Sequence, residues 1–219
     1  MNLLFSKILV LSDIHNQTVT LNSVLKEVQK SSNPPEICLI AGDITNFGSY
    51  EDLNNVLNRI TQDFRDTFFI LGNCDPYFDV EDISTSAIFV ESKPCKLDFF
   101  TIIGFGNDKP KINYKILKKK EKIDEKLCLL THAPPYGTKA DIVSFDRHAG
   151  SRELKIAIEK FQNIFLIVSG HIHDSPTISK LQNCTVVNPG PITRGSYAII
   201  TIREDFSVEG QIHNIHERR

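Results

Sequence analysis

Ile8–His15 reads ILVLSDIH: four apolar residues, a serine, then Asp13 and His15 flanking an isoleucine. A short, nearly continuous apolar run rich in Ile, Val and Leu reads as a strand buried on both faces, as in sheets covered by helices. The same grammar recurs along the chain. Ile37–Asp43 is ICLIAGD, Phe68–Asn73 is FFILGN, Leu127–His132 is LCLLTH and Phe165–His173 is FLIVSGHIH. In each case a side chain able to bind a metal stands just after the run. Ligand sites in α/β sheets lie in the crevice beyond the carboxyl ends of strands. The five segments are therefore expected to deliver Asp13, His15, Asp43, Asn73, His132, His171 and His173 to one edge of the sheet.

Outward from these segments, Ile102–Phe105 reads as a further strand. Amphipathic stretches lie between several strands. Thr18–Lys30 places Val19, Leu21, Val24, Leu25 and Val28 near one helical face, with Thr18 as a cap. Leu53, Val56, Leu57 and Ile60 form a second such face. Leu154, Ile156, Ala157, Ile158 and Phe161 form a third, with Ser151 at its start. Lys115–Lys122, KILKKKEK, reads as a solvated helix face or loop, with contact to an anionic substrate as the alternative. Towards the end, Thr185–Val187, Tyr197–Ile202 and Phe206–His213 read as antiparallel strands separated by turns. The expectation is one domain over residues 1–219, of mixed α/β class, with helices outside mixed sheets.

The chain has 219 residues, 41% of them hydrophobic and 24% charged, enough apolar material for a full core. Its 25 basic and 27 acidic residues leave a net charge of -2, which makes no whole-chain case for a nucleic-acid binder. The apolar start is broken by Ser6 and Lys7 and runs into Asp13, unlike a secretory leader, and no run is long enough for a membrane span. A cytoplasmic location is expected. Cys38, Cys74, Cys95, Cys128 and Cys184 show no CxxC pairing, and Cys38 and Cys128 read as reduced core residues.

Carboxylate, amide oxygen and imidazole together suit Mn, Fe, Zn, Co or Ni better than a purely oxygen-seeking Mg or Ca site. The absence of thiolate ligands argues against a structural zinc site. Asp-x-His and His-x-His put alternating residues on one side of an extended segment. Gly42, Gly72 and Gly170 precede ligands and are expected to let the backbone turn sharply and to leave space.

In order and composition, Asp13-Ile14-His15, Gly42-Asp43, Gly72-Asn73, His132 and Gly170-His171-Ile172-His173 resemble the calcineurin-like metallophosphoesterase superfamily, in particular its small stand-alone prokaryotic members. The resemblance implies a four-layer αββα sandwich with two mixed sheets. It implies two divalent transition-metal ions, manganese first, with Fe, Zn, Ni or Co as alternatives. Asp13, His15 and His173 would hold one, Asn73, His132 and His171 the other, and Asp43 would bridge them. A bridging hydroxide would then attack phosphorus in line, without a covalent enzyme intermediate. Phosphodiesters are the expected substrates, small molecules or nucleotides, with nucleic acid not indicated by charge.

The chain departs from this pattern at Cys74, where many relatives carry a histidine that contacts phosphate or protonates the leaving oxygen. Cys74 remains a candidate for that position, but a thiol is a weak donor. His148, in the polar loop after His132, is the candidate replacement, and Arg147 a candidate phosphate contact. Asn46 stands where many relatives carry an aspartate that orients a ligand. A catalytically silent protein-binding scaffold is the alternative function, but such proteins lose ligands, and every ligand position here is filled.

Overall fold

The computed structural model describes residues 6–77, 83–91 and 93–217. In chain order its elements are β1 (Ser6–Leu11), α1 (Thr18–Gln29), β2 (Ile37–Ala41), α2 (Tyr50–Thr61), β3 (Asp66–Ile70), β4 (Ile88–Phe89), β5 (Cys95–Lys96), β6 (Thr101–Phe105), α3 (Tyr114–Glu121), β7 (Leu127–Thr131), β8 (Ile142–Val143), β9 (Arg147–His148), α4 (Arg152–Lys160), β10 (Ile164–Val168), β11 (Thr177–Leu181), β12 (Cys184–Asn188), β13 (Ser196–Ile202) and β14 (Val208–Asn214). Two six-stranded sheets have the orders β14-β13-β1-β2-β3-β4 and β11-β12-β10-β7-β6-β5, and β8 pairs with β9 in a separate hairpin.

The period-two geometry of a strand sorts each apolar run between two cores. Ile8 and Val10 of β1, Leu39 of β2, Phe68 and Ile70 of β3, Cys128 and Leu130 of β7 and Leu166 and Val168 of β10 fill the space between the sheets. Their neighbours point the other way. Leu9, Leu11, Cys38, Ile40 and Phe69 pack under Leu21, Leu25 and Val28 of α1 and Leu53, Leu57 and Ile60 of α2. Leu127, Leu129 and Ile167 pack under Leu117 of α3 and Leu154, Ala157 and Ile158 of α4. The result is the expected α/β/β/α layering. Truncating a central residue such as Leu130 to Ala would cost ~2–5 kcal/mol.

Local signals set the helix starts, with one exception. The Ser49 side chain accepts from the Asp52 backbone N–H, and the Asp52 carboxylate returns the bond to the Ser49 N–H, so α2 begins with a capping box. Ser151 caps α4 through Leu154 N–H, as expected. The cap expected at Thr18 is not there: Thr18 is the first helical residue and Gln17 precedes it without a side-chain cap. Val19 is 79% exposed, so the buried face of α1 begins at Leu21. The basic run is helical, with Leu117 buried and Lys118, Lys119 and Lys120 in the last turn, where the helix dipole favours cations.

Pairing direction is what positions the site. β1, β2, β3 and β4 are mutually parallel, as are β6, β7, β10 and β12, while β13, β14, β5 and β11 add antiparallel margins. All the expected ligands thus follow the carboxyl ends of parallel strands. They come from two sheets rather than from the edge of one: Asp13, His15, Asp43 and Asn73 from the first, His132, His171 and His173 from the second. Among the described residues no helix is long and apolar enough to cross a membrane.

Candidate metal centre

The loops that leave β1, β2 and β10 adopt an unusual backbone. Asp13, His15, Asp43 and His171 have φ of 52°, 46°, 49° and 66°, in the left-handed region that costs a non-glycine residue of order 1–3 kcal/mol. The surrounding backbone holds them there. Asp13 N–H donates to Gly42 O at 3.1 Å and His15 N–H to Asp43 O at 3.0 Å, which ties the β1 loop to the β2 loop. Gly170 N–H donates to His132 O at 2.9 Å, which ties the β10 loop to β7. The seam between the sheets is closed by His171 N–H, which donates to Asp13 Oδ2 at 3.1 Å.

The glycines serve mainly by lacking a side chain. A Cβ on Gly72 would lie 2.0 Å from Asp43 Oδ1, and one on Gly170 would lie 1.7 Å from Ser12 Oγ. The expected sharp turn occurs at Gly42 alone, whose φ is +83°.

The seven side chains converge. Asp13 Oδ1 lies 3.1 Å from His173 Nε2 and 4.0 Å from His15 Nε2. Asp43 Oδ2 lies 3.7 Å from His15 Nε2 and 3.4 Å from His132 Nε2. Asn73 Oδ1 is 3.1 Å from His132 Nε2, and the His132 and His171 rings meet at 4.9 Å. His132 is wholly buried, with Nδ1 2.7 Å from Ala41 O. A carbonyl only accepts, so Nδ1 carries the proton there and Nε2 faces the cluster.

The electrostatics follow from this crowding. Burial opposes charge on His132, but the Asp43 contact and the nearby carboxylate of Asp13 outweigh it and push the imidazole up to about 9. Burial likewise opposes ionisation of Asp43, and the His132 contact overcomes it, holding the carboxyl at about 2. Asp13 is held below the usual range, against its burial, by His173 and His132. His173 is raised by its bond to Asp13, and His171 is lowered by burial and by the charge of His132.

This donor set fits divalent metal. Asp13, His15 and His173 offer ligand atoms within 4.8 Å of one another, and so do Asp13, Asp43 and His132. The observation that fits best is at His15. Its Nδ1 is buried with no hydrogen-bond partner, and its Nε2 approaches only carboxylates beyond hydrogen-bonding distance, at 3.7 and 4.0 Å. Nε2, which faces those two carboxylates, is the nitrogen a cation would complete.

Cys74 also lies at the cluster, with Asp43 and His15. Its N–H donates to Asp43 Oδ1 at 2.8 Å. Burial and the charges of Asp43, Asp75 and Asp13 push its thiol up to about 12. Arg147 and His148, both exposed, lie on β9, and neither has one of the seven as its hydrogen-bond partner. His148 Nδ1 is 2.8 Å from Asp141 Oδ1, and Arg147 Nε donates to Ser144 O at 3.4 Å. Ser175 Oγ, two residues beyond His173, donates to Ile142 O at 2.5 Å and anchors the hairpin to the β10 loop.

Two acids escaped the sequence reading. Asp75 accepts from Gly72 N–H, Ile44 N–H and Thr45 N–H at 2.9, 3.1 and 2.7 Å, bracing the loops that carry Asp43 and Asn73. Asn46, expected to orient a ligand, is exposed instead. Asp141, fully buried, accepts from Gly137, Thr138 and Gly150 N–H as well as from His148. The signal for Asp75 was its place directly after Asn73-Cys74; that for Asp141 was the capping-box spacing from Thr138, while its bonds to His148 and Gly150 come from further along the loop.

The sequence profile of calcineurin-like phosphoesterases matches residues 6–175. The chain belongs to the calcineurin-like phosphoesterase family. As a family member it is a metal-dependent hydrolase of phosphoesters, and Asp13, His15, Asp43, Cys74, His132 and His173 make up its candidate metal-binding groups. An uncharacterised protein of Methanocaldococcus jannaschii is 30% identical over 201 residues, covering 85% of this chain and 89% of that one. A protein of Thermus thermophilus shares the fold with a TM-score of 0.67 at 13% identity, covering 95% of this chain and 99% of its own. A phosphopantetheinyl hydrolase from Mycobacterium tuberculosis does so with a TM-score of 0.57 at 14% identity, covering 85% and 90%.

Proposed function

We propose that the chain forms one phosphoesterase domain that hydrolyses phosphodiesters with two divalent transition-metal ions, manganese foremost. Asp13, His15 and His173 would hold one ion and Asn73, His132 and His171 the other, with Asp43 between them. The observation that carries this reading is the position of Asp43 Oδ2, flanked by His15 Nε2 at 3.7 Å and His132 Nε2 at 3.4 Å. When bound, such ions supply positive charge for phosphoryl oxygens and lower the pKa of a nucleophilic water toward neutrality.

The protein's own groups do the rest. The Ala41 carbonyl fixes the tautomer of His132, and the Cys74 N–H fixes the rotation of the Asp43 carboxylate, so both are preorganised. Among the described residues no lysine or arginine is hydrogen-bonded to a side chain of the seven; of these residues Arg194 reaches only the His173 carbonyl, at 3.2 Å, with its charge felt by the ring. A diester carries less charge than a monoester, so such a cradle suits it. His148 is the proposed proton donor to the leaving oxygen: in its doubly protonated form it would keep the Nδ1 proton on Asp141 and give the Nε2 proton to that oxygen. Arg147 is the proposed phosphate contact beside it.

Metal analysis and turnover of a bis-aryl phosphate test this reading. Protein prepared without chelator and loaded with Mn should hold about two ions per chain and cleave the diester faster than the matching monoester. Well under one ion per chain after loading, with no turnover, would show a silent scaffold instead.

A further inference from the structure

A groove of about 490 Å³ opens between the loops that follow β3 and β6. That volume lies within the range of small-ligand sites. Its lining includes Tyr77, Asn107, Lys109, Lys111 and Glu91. It adjoins the metal centre by chain and by hydrogen bond. Tyr77 is four residues beyond Asn73, and Asn107 N–H donates to Leu71 O at 2.9 Å, two residues before it. Asp108, next to Asn107, is near enough for its charge to act on His171.

Tyr77 is 85% exposed, yet both ends of the residue are held. Tyr50 Oη donates to Tyr77 O at 2.8 Å, and Asn107 Nδ2 donates to Tyr77 Oη at 3.4 Å. The ring is thus fixed while most of its surface stays open, which is what a stacking platform needs. Lys109 and Lys111 are exposed, and neither has a carboxylate within 4.0 Å among the described residues. Among the described residues the one acid in the wall, Glu91, turns its carboxylate to the backbone, accepting from Leu71 N–H at 2.8 Å and from Gly106 N–H. A Cβ on Gly106 would lie 2.2 Å from Glu91 Oε1, so the glycine admits that brace. Open aromatic surface and unpaired cations therefore share one cavity beside the reaction centre.

We propose that this groove binds the organic portion of the substrate, and that this portion is a nucleotide: a planar base stacked on Tyr77 and a phosphate, other than the scissile one, paired with Lys109 and Lys111. The assignment rests on the phosphoesterase reading for its location but not for its test, which needs no metal. The chain has no tryptophan, so Tyr77→Trp introduces a unique indole at the platform. The Tyr77→Trp protein, stripped with EDTA, is titrated with adenosine 5′-monophosphate, adenosine and inorganic phosphate. Saturable quenching by the nucleotide is expected, with adenosine weaker and phosphate giving no quench. Adding Lys109→Ala and Lys111→Ala should weaken nucleotide binding at least about tenfold. In the natural background, Tyr77→Ala should weaken binding by calorimetry roughly tenfold, and Tyr77→Phe should retain it. Absence of quenching by the nucleotide at millimolar concentration, nucleotide affinity indifferent to both lysines, or phosphate binding as tightly as the nucleotide would each overturn the proposal. Because the titrations are done without metal, failure here is distinct from failure to bind metal or to cleave a diester.

Discussion

Asp141 Oδ1 stands 2.8 Å from Nδ1 of His148, and the rest of the Asp141 carboxylate is consumed by three backbone N–H groups. A buried acceptor on Nδ1 fixes which nitrogen of the ring carries the proton, and leaves Nε2 to face outward. The Tyr136 ring lies 5.5 Å from the imidazole, and Arg152 stacks over Tyr136 at 4.3 Å, so the hairpin is supported from behind. Asn188 ties this loop to the ligand-bearing segment, donating to Ala140 O at 3.3 Å and to Ile172 O at 2.8 Å.

If His148 protonates the leaving oxygen, its loss matters most when that oxygen is basic. His148→Ala is expected to lower kcat/KM for an alkyl diester by roughly 10²-fold, and far less for a bis-aryl diester. Asp141→Asn should show the same dependence on the leaving group by disturbing the tautomer. The double variant should be little worse than His148→Ala alone, since the two act as a unit. Equal losses on both substrates would remove His148 from this role.

Asp43 Oδ2 lies 3.7 Å from His15 Nε2 and 3.4 Å from His132 Nε2. Asp43→Asn keeps the shape but removes the charge, and His132 then loses its strongest partner. Metal content after loading and dialysis should fall below that of the natural protein, and diester turnover should drop by at least about 10²-fold. Asp75→Asn makes the contrast. It contacts backbone rather than the proposed ions, so a fall in thermal stability with a smaller fall in metal content is expected.

Much of the fold was legible because strands announce themselves by burial. Ile8–Leu11, Ile37–Ala41 and Leu127–Leu130 are apolar on both faces, since one face meets the other sheet and the next meets helices. The convergence of the candidate ligands was legible because each follows such a run. β11, Thr177–Leu181, was missed because it is a half-buried margin with mixed residues. The hairpin of β8 and β9 was missed for a different reason: two-residue strands carry no periodicity. That the centre lies between two sheets could not be read from runs alone, because each parallel run looks the same in either sheet.

Glycine substitutions separate crowding from backbone strain. Ala at Gly72 would bring a Cβ to 2.4 Å from Asp43 N as well as to 2.0 Å from Oδ1, so backbone and proposed ligand must both move. Gly72→Ala should lose metal affinity together with stability. Gly137 has φ of +81° but only Lys155 Nζ near its Cβ position, at 3.7 Å. Gly137→Ala should therefore cost only about 1–2 kcal/mol of left-handed strain, seen in denaturant unfolding, with metal content unchanged.

The last expectation concerns pH and lies away from the centre. Glu125 Oε2 is 2.8 Å from Lys120 Nζ, and its other oxygen accepts from Thr101 Oγ1. Desolvation opposes its ionisation, but the Lys120 and Thr101 bonds outweigh it and hold its carboxyl below the ordinary 4.5. A depressed folded pKa stabilises the native state above the unfolded value, and this contribution is lost as pH falls through the folded value. Glu125→Gln should therefore have a lower Tm than the natural protein at neutral pH. The gap should narrow as the pH drops below 4.5 and close once the native carboxyl is protonated. Calorimetric scans of both proteins across that window check the sign; a gap that widened in acid would show that Glu125 is not held as its anion by Lys120.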